Sequence, residues 1–387
     1  MSDIYANASM TLSATRAANP HQGCFARLDE RYMSRLKTFT NSDHEAYELH
    51  CHEKLPKSEC PLLERGWAFQ ERMLSRRIVH FMEQELCWEC RECCHCECGS
   101  NVHGSVSRRS LRMTSFQIRN DVAAGLSKLQ SLAEVERTWG QLVVTYSSKS
   151  LTYSDDIFPA IQALAKLVPS SMGRYLAGHW EKTLITSLGW SGSRRNKPMK
   201  WRAPSWSWAK NQGRVHWSGP GSKYDPIIEC ATLLSALTIP EGDDSMGQLS
   251  SGFIVLRWKV LTGRIQEPER PLDHRLTLSG ERIDQFSDFE VMWDTSPFDG
   301  SDKEVFALEI FYTESVSAPV SQRWLILEAV EGGKAEYVRT GILHATIPSL
   351  DNESFGRVKL PAHIVESYKG AWAAITDRAV EMDLKIV

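Results

Sequence analysis

The hydrophobic period of this chain changes near Trp190, and that change restricts its architecture more than any other feature of the sequence. From Ser131 apolar residues recur three and four apart: Leu132, Val135, Trp139, Leu142, Val143 and Tyr146 fall on one stripe. Ile157, Ile161, Leu164 and Val168 continue it, and Tyr175, Leu176, Trp180, Leu184 and Leu188 repeat it. This spacing predicts three helices, the second opened by Ser154 as N-cap, with Asp155 and Asp156 in the first turn and Pro159 just inside. Beyond Trp190 come short β-prone runs: WSWAK, GRVHW, SGFIVLRWKVL, EVFALEIFY, QRWLILEAV and EYVRTGILHA, separated by Gly, Pro, Asp and Ser. A chain that buries helix stripes in one block and strand faces in another is expected to be α+β, with an antiparallel β-rich C-terminal region.

The front of the chain mixes both signals. SDIYANAS suits a short helix and MTLSAT a strand, whereas Arg31 to Pro61 is polar and weakly periodic and reads as an irregular connection. Leu62 to Leu74 is helix-forming, and RRIVHFM and ELCWECR then alternate as the two strands of a hairpin. On the second strand Leu86, Trp88 and Cys90 face one way, and Cys87, Glu89 and Arg91 the other. A chain of 387 residues exceeds what one core usually holds. The expected division is an α/β region at 1–105, a helical region at 106–190 and a β-rich region at 191–387.

Between Cys87 and Gly99 the sequence CWECRECCHCECG places six cysteines and one histidine in thirteen residues. Cys90, Cys93, Cys96 and Cys98 have the soft-ligand spacing of a zinc site, and the His50 to His52 segment with Cys60 could supply a second ligand pair. Against zinc, ligands on one extended strand cannot all turn toward one tetrahedral ion. A thiol-lined strand end and a redox or thiol-sensing site are the alternatives, the second requiring an exposed cysteine of lowered pKa. The start of the sequence lacks the basic and apolar regions of a secretory signal, and no apolar run approaches the roughly 20 residues that span a bilayer. A cytoplasmic protein without a membrane partner is therefore expected, its cysteines mostly thiols. A net charge of −3 without a long basic run argues against nucleic acid. No cofactor other than zinc is suggested.

Catalytic signatures are scarce: there is no GxSxG elbow, Walker A loop, GxGxxG, HExxH or DxDxDG loop. The groups available for proton transfer are Glu71, Asp155, Asp156 and His216, with the helix-start reading competing for the two aspartates. His80, on an apolar strand, reads as a satisfied core histidine. Five of the thirteen tryptophans, Trp190, Trp201, Trp206, Trp208 and Trp217, crowd one segment, as a core or a groove would require. In ERGWAFQERMLSRR, Gly66 permits close approach beside Trp67, whose ring is expected in the core. Gln70, Glu71 and Arg72 on the next turn can bind backbone or each other. A buried Glu71 to Arg72 or Glu89 to Arg77 ion pair is expected to orient elements. The binding candidates are Trp67, Gln70, Arg72, Trp88, Trp206 and Trp208.

Several segments together resemble the fungal heterokaryon-incompatibility (HET) domain family. MSDIYANASMTLSAT is similar to its M-x-x-IY-x-x-A-x-x-T-[IL]-x-A helix and strand, ERGWAFQERMLSRRIVHF to its R-G-W-x-x-Q-E-R-x-L-S-x-R motif, and ELCWECRE with HCECG to the strand and C-E-C-G loop that follow. VERTWGQLVVTYSSKSLTYSDDIFPAIQALAK, RYLAGHWEKTL and RAPSWSWA resemble segments found downstream in many such proteins. The resemblance covers residues 1 to about 217, in the family's order. The family's opening Y-x-[AT]-L-S-Y-x-W-G and W-[IV]-D-x-x-C-I-[ND]-Q segments have no counterpart, which implies a HET-type α/β portion lacking its first strands. That fold is distantly similar to the Toll/interleukin-receptor (TIR) fold, some of whose members cleave NAD. The pocket for that chemistry would lie in the missing segment, so NAD cleavage is not expected.

The resemblance implies an intracellular factor in cell death and non-self recognition, or a degenerate regulatory member, acting through self-association or a protein partner. The alternative is a biosynthetic enzyme of fungal secondary metabolism, a cyclase, isomerase or hydrolase, with RAPSWSWAKNQGRVHW lining a pocket for a small hydrophobic molecule. A third reading makes the sequence part of a longer product, which would leave a sheet edge unpaired.

Overall fold

The computed structural model describes residues 2–26, 35–42, 45–51, 60–97, 122, 129, 131–192, 200–218, 226–266, 275–283, 289–294, 302–313, 320–332, 335–347 and 362–387. It is a mixed α+β structure with few helices and a large sheet, and it divides into two compact units. The first is built on 1–128 with 149–151 and 163–167; the second comprises 129–148, 152–162 and 168–387.

In the first unit, helix α1 (Ser2–Asn7) leads into β1 (Thr11–Ser13). A hairpin of β2 (Arg35–Thr40) and β3 (Ala46–Cys51) occupies part of the segment expected to be irregular. AYELHC alternates through Tyr47, Leu49 and Cys51, but in RLKTFT Leu36 and Phe39 stand three apart, so the pair of runs carries no clear period of two. Helix α2 (Gly66–Leu74) follows, then β4 (Arg77–Phe81), β5 (Leu86–Cys90) and β6 (Cys94–Cys96). The sheet order is β1-β4-β5-β6, with β1 parallel to β4 and the other pairs antiparallel. Arg65 provides no side-chain cap for α2. Instead the Gly66 N–H donates to Ser150 O at 2.8 Å and the Ser150 N–H to Glu64 O at 2.7 Å, so a distant strand-like bridge satisfies the helix start.

The second unit opens with α3 (Leu132–Tyr146), where Ser131 Oγ accepts from the Glu134 N–H at 3.2 Å. The other two expected helices are not formed as such. Ser154–Ile157 is a 3-10 turn, α4 (Gln162–Ala165), all but its first residue belonging to the first unit, is a single turn, and GRYLAGHW is a tight hairpin of β7 (Tyr175–Leu176) and β8 (His179–Trp180), followed by α5 (Leu184–Ser187). Glycines and prolines decide this: Gly173 and Gly178 adopt φ of +79° and +91°, which a right-handed helix excludes. The apolar spacing imitated a helix because tight turns also return every third or fourth residue to the core. WSWAK, expected as strand, is likewise a 3-10 turn at Trp208–Lys210, capped by Ser207 Oγ.

The remainder is strand-rich. β9 (Ser191–Gly192) pairs with β10 (Val215–His216). The large sheet contains β11 (Ile227–Glu229), β12 (Thr232–Pro240), β13 (Leu249–Gln266), β14 (Arg275–Leu278), β15 (Glu281–Arg282), β16 (Phe289–Trp293), β17 (Lys303–Thr313), β18 (Val320–Ala329) and β19 (Glu336–Ile347). Helix α5 is followed much later by α6 (Ala362–Thr376), which precedes the last strand, β20 (Val380–Ile386). The pairings β13–β17, β17–β18, β18–β19, β19–β20 and β20–β13 form a closed circuit, so these five strands satisfy one another's backbone groups. The long strand β13 makes this possible, bonding β20 through Ile254–Val260 and β17 through Val260–Ile265. Val305, Ala307, Trp324, Ile326, Leu343 and Ala345 form one core with Trp372 and Ile375 of α6. The intervening Leu308, Ile310, Leu325, Leu327 and Ile342 are also buried, so the central strands are covered on both faces. No helix among the described residues is long and apolar enough to cross a membrane.

Candidate functional site

The alternation of β5 turns Cys87 and Glu89 inward and leaves Trp88 and Cys90 half-buried. Glu89 meets Arg72 of α2 in a bidentate ion pair, Nε to Oε2 at 2.9 Å and Nη2 to Oε1 at 3.0 Å. His80 Nε2 lies 2.8 Å from the same Oε2, its Nδ1 lies 2.8 Å from Thr15 Oγ1, and Thr15 Oγ1 lies 2.9 Å from Ser13 Oγ. Arg72, Glu89, His80 and Thr15 are all buried. Burial works against the Arg72 charge, but the charge and hydrogen bonds of Glu89 outweigh it and hold the guanidinium protonated. The buried pair is therefore Arg72–Glu89 rather than either pair expected from sequence: adjacent residues on a helix do not face each other, and Arg77 is exposed at the end of β4.

The neighbouring motif residues are also committed to structure. Gln70 Oε1 accepts from the Ala163 N–H at 2.8 Å. Glu71 is half-buried, its carboxyl pushed up by burial against the opposing effects of a hydrogen bond from Tyr5 and the charge of Arg65. Trp67 and Trp88 are half-buried, so Trp67 is less enclosed than expected.

In the second unit Trp206 and Trp208 are fully buried. Trp208 and Trp139 both donate their indole N–H to Gly178 O at 2.9 Å, and Trp190 donates to Trp206 O at 3.0 Å. A Cβ on Gly178 would lie 2.3 Å from Trp208 Nε1, which together with its φ makes glycine necessary there. Trp139, Trp180, Tyr175, Phe158, Trp208 and Tyr146 meet edge to face with centroids 5.2 to 6.4 Å apart. The rings expected around a substrate pocket instead fill a core.

Asp155 and Asp156 are half-buried at the 3-10 turn, where their charges act on Arg202 and on Tyr146 respectively. His216 is exposed on β10. Glu71 belongs to the first unit, and the other three proton-transfer candidates to the second.

Cys87 and Cys96 pack with Cys60, Leu63 and Met82 in a small core beside Cys94. Cys90 and Cys93 lie across the turn between β5 and β6, with sulfurs 3.4 Å apart, and the Cys93 N–H donates to Cys90 Sγ at 3.4 Å. Burial works to raise the Cys90 thiol, but N–H groups of Glu92 and Cys93 outweigh it and lower its pKa. Among the described residues no group of three or more His, Cys, Asp or Glu is placed to hold a metal ion. Cys98, His52 and the side chains of His50 and Cys51 lie outside those residues.

Sequence reasoning passed over three buried ionisable groups. Arg339 donates from Nε to Asp294 Oδ2 at 3.0 Å, from Nη1 to Leu188 O at 2.7 Å and from Nη2 to Trp190 O, while stacking 3.6 Å over the Trp190 ring. Glu136, on α3, accepts from Thr186 Oγ1 at 2.8 Å, and burial pushes its carboxyl up to about 8. His179 lies 2.7 Å from Ser187 Oγ and stacks on Trp217; burial, helped by the charge of Arg339, lowers it to about 3. Only Glu136 carried a signal, as a charge flanking an otherwise apolar helix stripe.

Comparison with protein-family models, curated proteins and solved structures finds no match to this chain.

Proposed function

We propose that this protein is an incompatibility-type factor of the HET class, acting in the fungal cytoplasm through self-association or a protein partner. The observation that carries the reading is the division of labour within the first unit. The motif residues Gln70, Arg72 and Glu89, with His80 and Thr15, form an internally bonded scaffold, while exposed apolar side chains gather beside a sheet edge. Among the described residues β1 is the outermost strand of its sheet, and Leu12 on it, Met10 before it and Ile4 of α1 are exposed. An edge strand carrying apolar side chains is suited to strand addition by another chain. The order of the sequence segments and the parallel β1–β4 pair flanked by α1 and α2 support assigning this unit to a HET-type, distantly TIR-like α/β portion. The biosynthetic-enzyme reading is not advanced, because Trp206 and Trp208 are enclosed by other rings rather than open to a substrate.

Forced expression in a filamentous fungal host tests the proposal. Growth arrest is expected, together with relief of arrest by Leu12→Lys at equal protein level. Harmless accumulation of the wild-type chain would overturn it.

A further inference from the structure

Cys90 and Cys93 stand outside the small core that takes up Cys60, Cys87 and Cys96. Glu89 and Cys94 are register partners, and the Cys90 N–H donates to Cys93 O at 2.9 Å, so the two cysteines are the next facing pair and Arg91 and Glu92 make the turn. Facing residues of an antiparallel pair have Cα atoms roughly 4.5–5.5 Å apart, inside the roughly 4.4–6.8 Å that a disulfide bridges. The side chains are turned toward each other as well, with Sγ atoms 3.4 Å apart. Closing that distance to a bond takes side-chain rotation and leaves the strand pairing as it is.

The surroundings suit a reactive pair better than a structural one. Both cysteines are half-buried, and Arg91 and Glu92 between them are exposed, so the sulfurs are not sealed in a core. The Cys93 N–H donates to Cys90 Sγ at 3.4 Å, which favours negative charge on that sulfur and makes Cys90 the attacking one. A disulfide here would close a ring around Arg91 and Glu92 alone. So short a loop restricts the unfolded chain little, and the bond stays open to reduction.

We propose that Cys90 and Cys93 form a redox-active dithiol whose substrate is a small disulfide, RSSR. The Cys90 thiolate attacks one sulfur of RSSR: the bond from Cys90 Sγ to that sulfur forms, the RS–SR bond breaks, and RS⁻ leaves. Cys93 gives its proton to the released thiolate and attacks Cys90 Sγ. The internal bond forms, and the second RS⁻ leaves to take up from solvent the proton that Cys90 had lost. Two protein thiols are oxidised by two electrons in all, one RSSR is reduced to two RSH, and an excess of small thiol reverses both steps. Sulfurs already in contact make the second attack intramolecular and prearranged. β6 and β1 are opposite ends of the sheet order, so this pair and the strand edge at β1 can fail separately.

The test equilibrates the full chain at neutral pH with mixtures of reduced and oxidised glutathione, quenches with acid, blocks the remaining thiols with N-ethylmaleimide and maps linkages by mass spectrometry. Trypsin cuts after Arg91, so a bond between Cys90 and Cys93 joins two peptides that separate on reduction, and fragmentation places it. That link is expected to rise with the oxidised fraction and to vanish with dithiothreitol. Cys93→Ser should stop at a glutathione mixed disulfide on Cys90, and Cys90→Ser should slow the first exchange at the pair by about tenfold or more. Thermal melts matching wild type will confirm that the variants fold, and the wild-type linkage map stands without them. Both thiols blocked at every glutathione ratio, Cys90 joined to a cysteine other than Cys93, or a zinc ion retained with both thiols protected would each overturn the proposal.

Discussion

Glu136 ought to make this protein less stable as the solution becomes alkaline, and a single atom exchange can reveal it. The carboxyl is buried on α3, receives Thr186 Oγ1, and is pushed up from 4.5 to about 8 chiefly by desolvation. In the unfolded chain it ionises near its ordinary value. Below that value both states hold the proton and nothing is lost. As pH rises toward about 8 the unfolded chain releases its proton while the native state keeps it, so stability falls across that window. At 1.36 kcal/mol per pH unit of separation, less the partial titration at either end, the loss accumulated between about pH 5 and about pH 8 is roughly 3.5 kcal/mol. Glu136→Gln keeps the shape and an acceptor for Thr186 but removes the titration. Urea unfolding followed by tryptophan fluorescence, which reports the second unit through Trp139 and its neighbours, should place the variant close to wild type at about pH 5 and well above it at about pH 8. Other titrating groups are common to both proteins and cancel in the difference. A gap between variant and wild type that stays constant over that range, or one that moves in favour of wild type, would refute the reasoning.

Glu89→Gln leaves the Arg72 guanidinium buried without its counter-ion, and urea unfolding of the first unit should show a loss of about 3–5 kcal/mol. Arg339→Met should destabilise more than the double change Arg339→Met with Asp294→Leu, because the double change leaves no unpaired charge although the Leu188 and Trp190 carbonyls still lose a donor; equal melting temperatures would contradict this. Gly178→Ala places a methyl group against Trp208 at positive φ and should cost more than about 2 kcal/mol, read as a lowered melting temperature. Mass spectrometry after brief iodoacetamide treatment of the native protein at neutral pH should find Cys90 alkylated ahead of buried Cys87.

How much of this could be read beforehand depended on how local the cause was. The strands of the C-terminal region were visible because SGFIVLRWKVL and QRWLILEAV carry their own β-propensity, and the β4–β5 hairpin because its alternation survives in five residues per strand. The closed circuit of strands was not visible, since which face of β13 meets β17 or β20 is set by pairings across some 40 to 130 residues, as Leu261↔Ala307 and Leu256↔Leu384 show. The second and third expected helices do not form because apolar spacing reports burial, and Tyr175, Trp180 and Leu184 are buried through a hairpin and a turn. Gly178, at a φ of +91°, is the local sign against a helix there. In the candidate site, Arg72 and Glu89 were both singled out, but their partnership was not: it requires α2 to lie against the inward face of β5, which neither segment encodes alone.

The two units handle charge by the same rule, and the rule bears on function. Where a cation is fully buried, as at Arg72 and Arg339, a carboxylate meets it through two of its nitrogens and neighbouring polar groups complete the set. Where a carboxyl is buried with only a hydroxyl donor in view, as at Glu136, desolvation favours its neutral form at neutral pH. These groups hold the core together, so their own titration bears on stability. In the first unit a feature the packing does not consume is the set of exposed apolar side chains beside and on β1, namely Ile4, Met10 and Leu12.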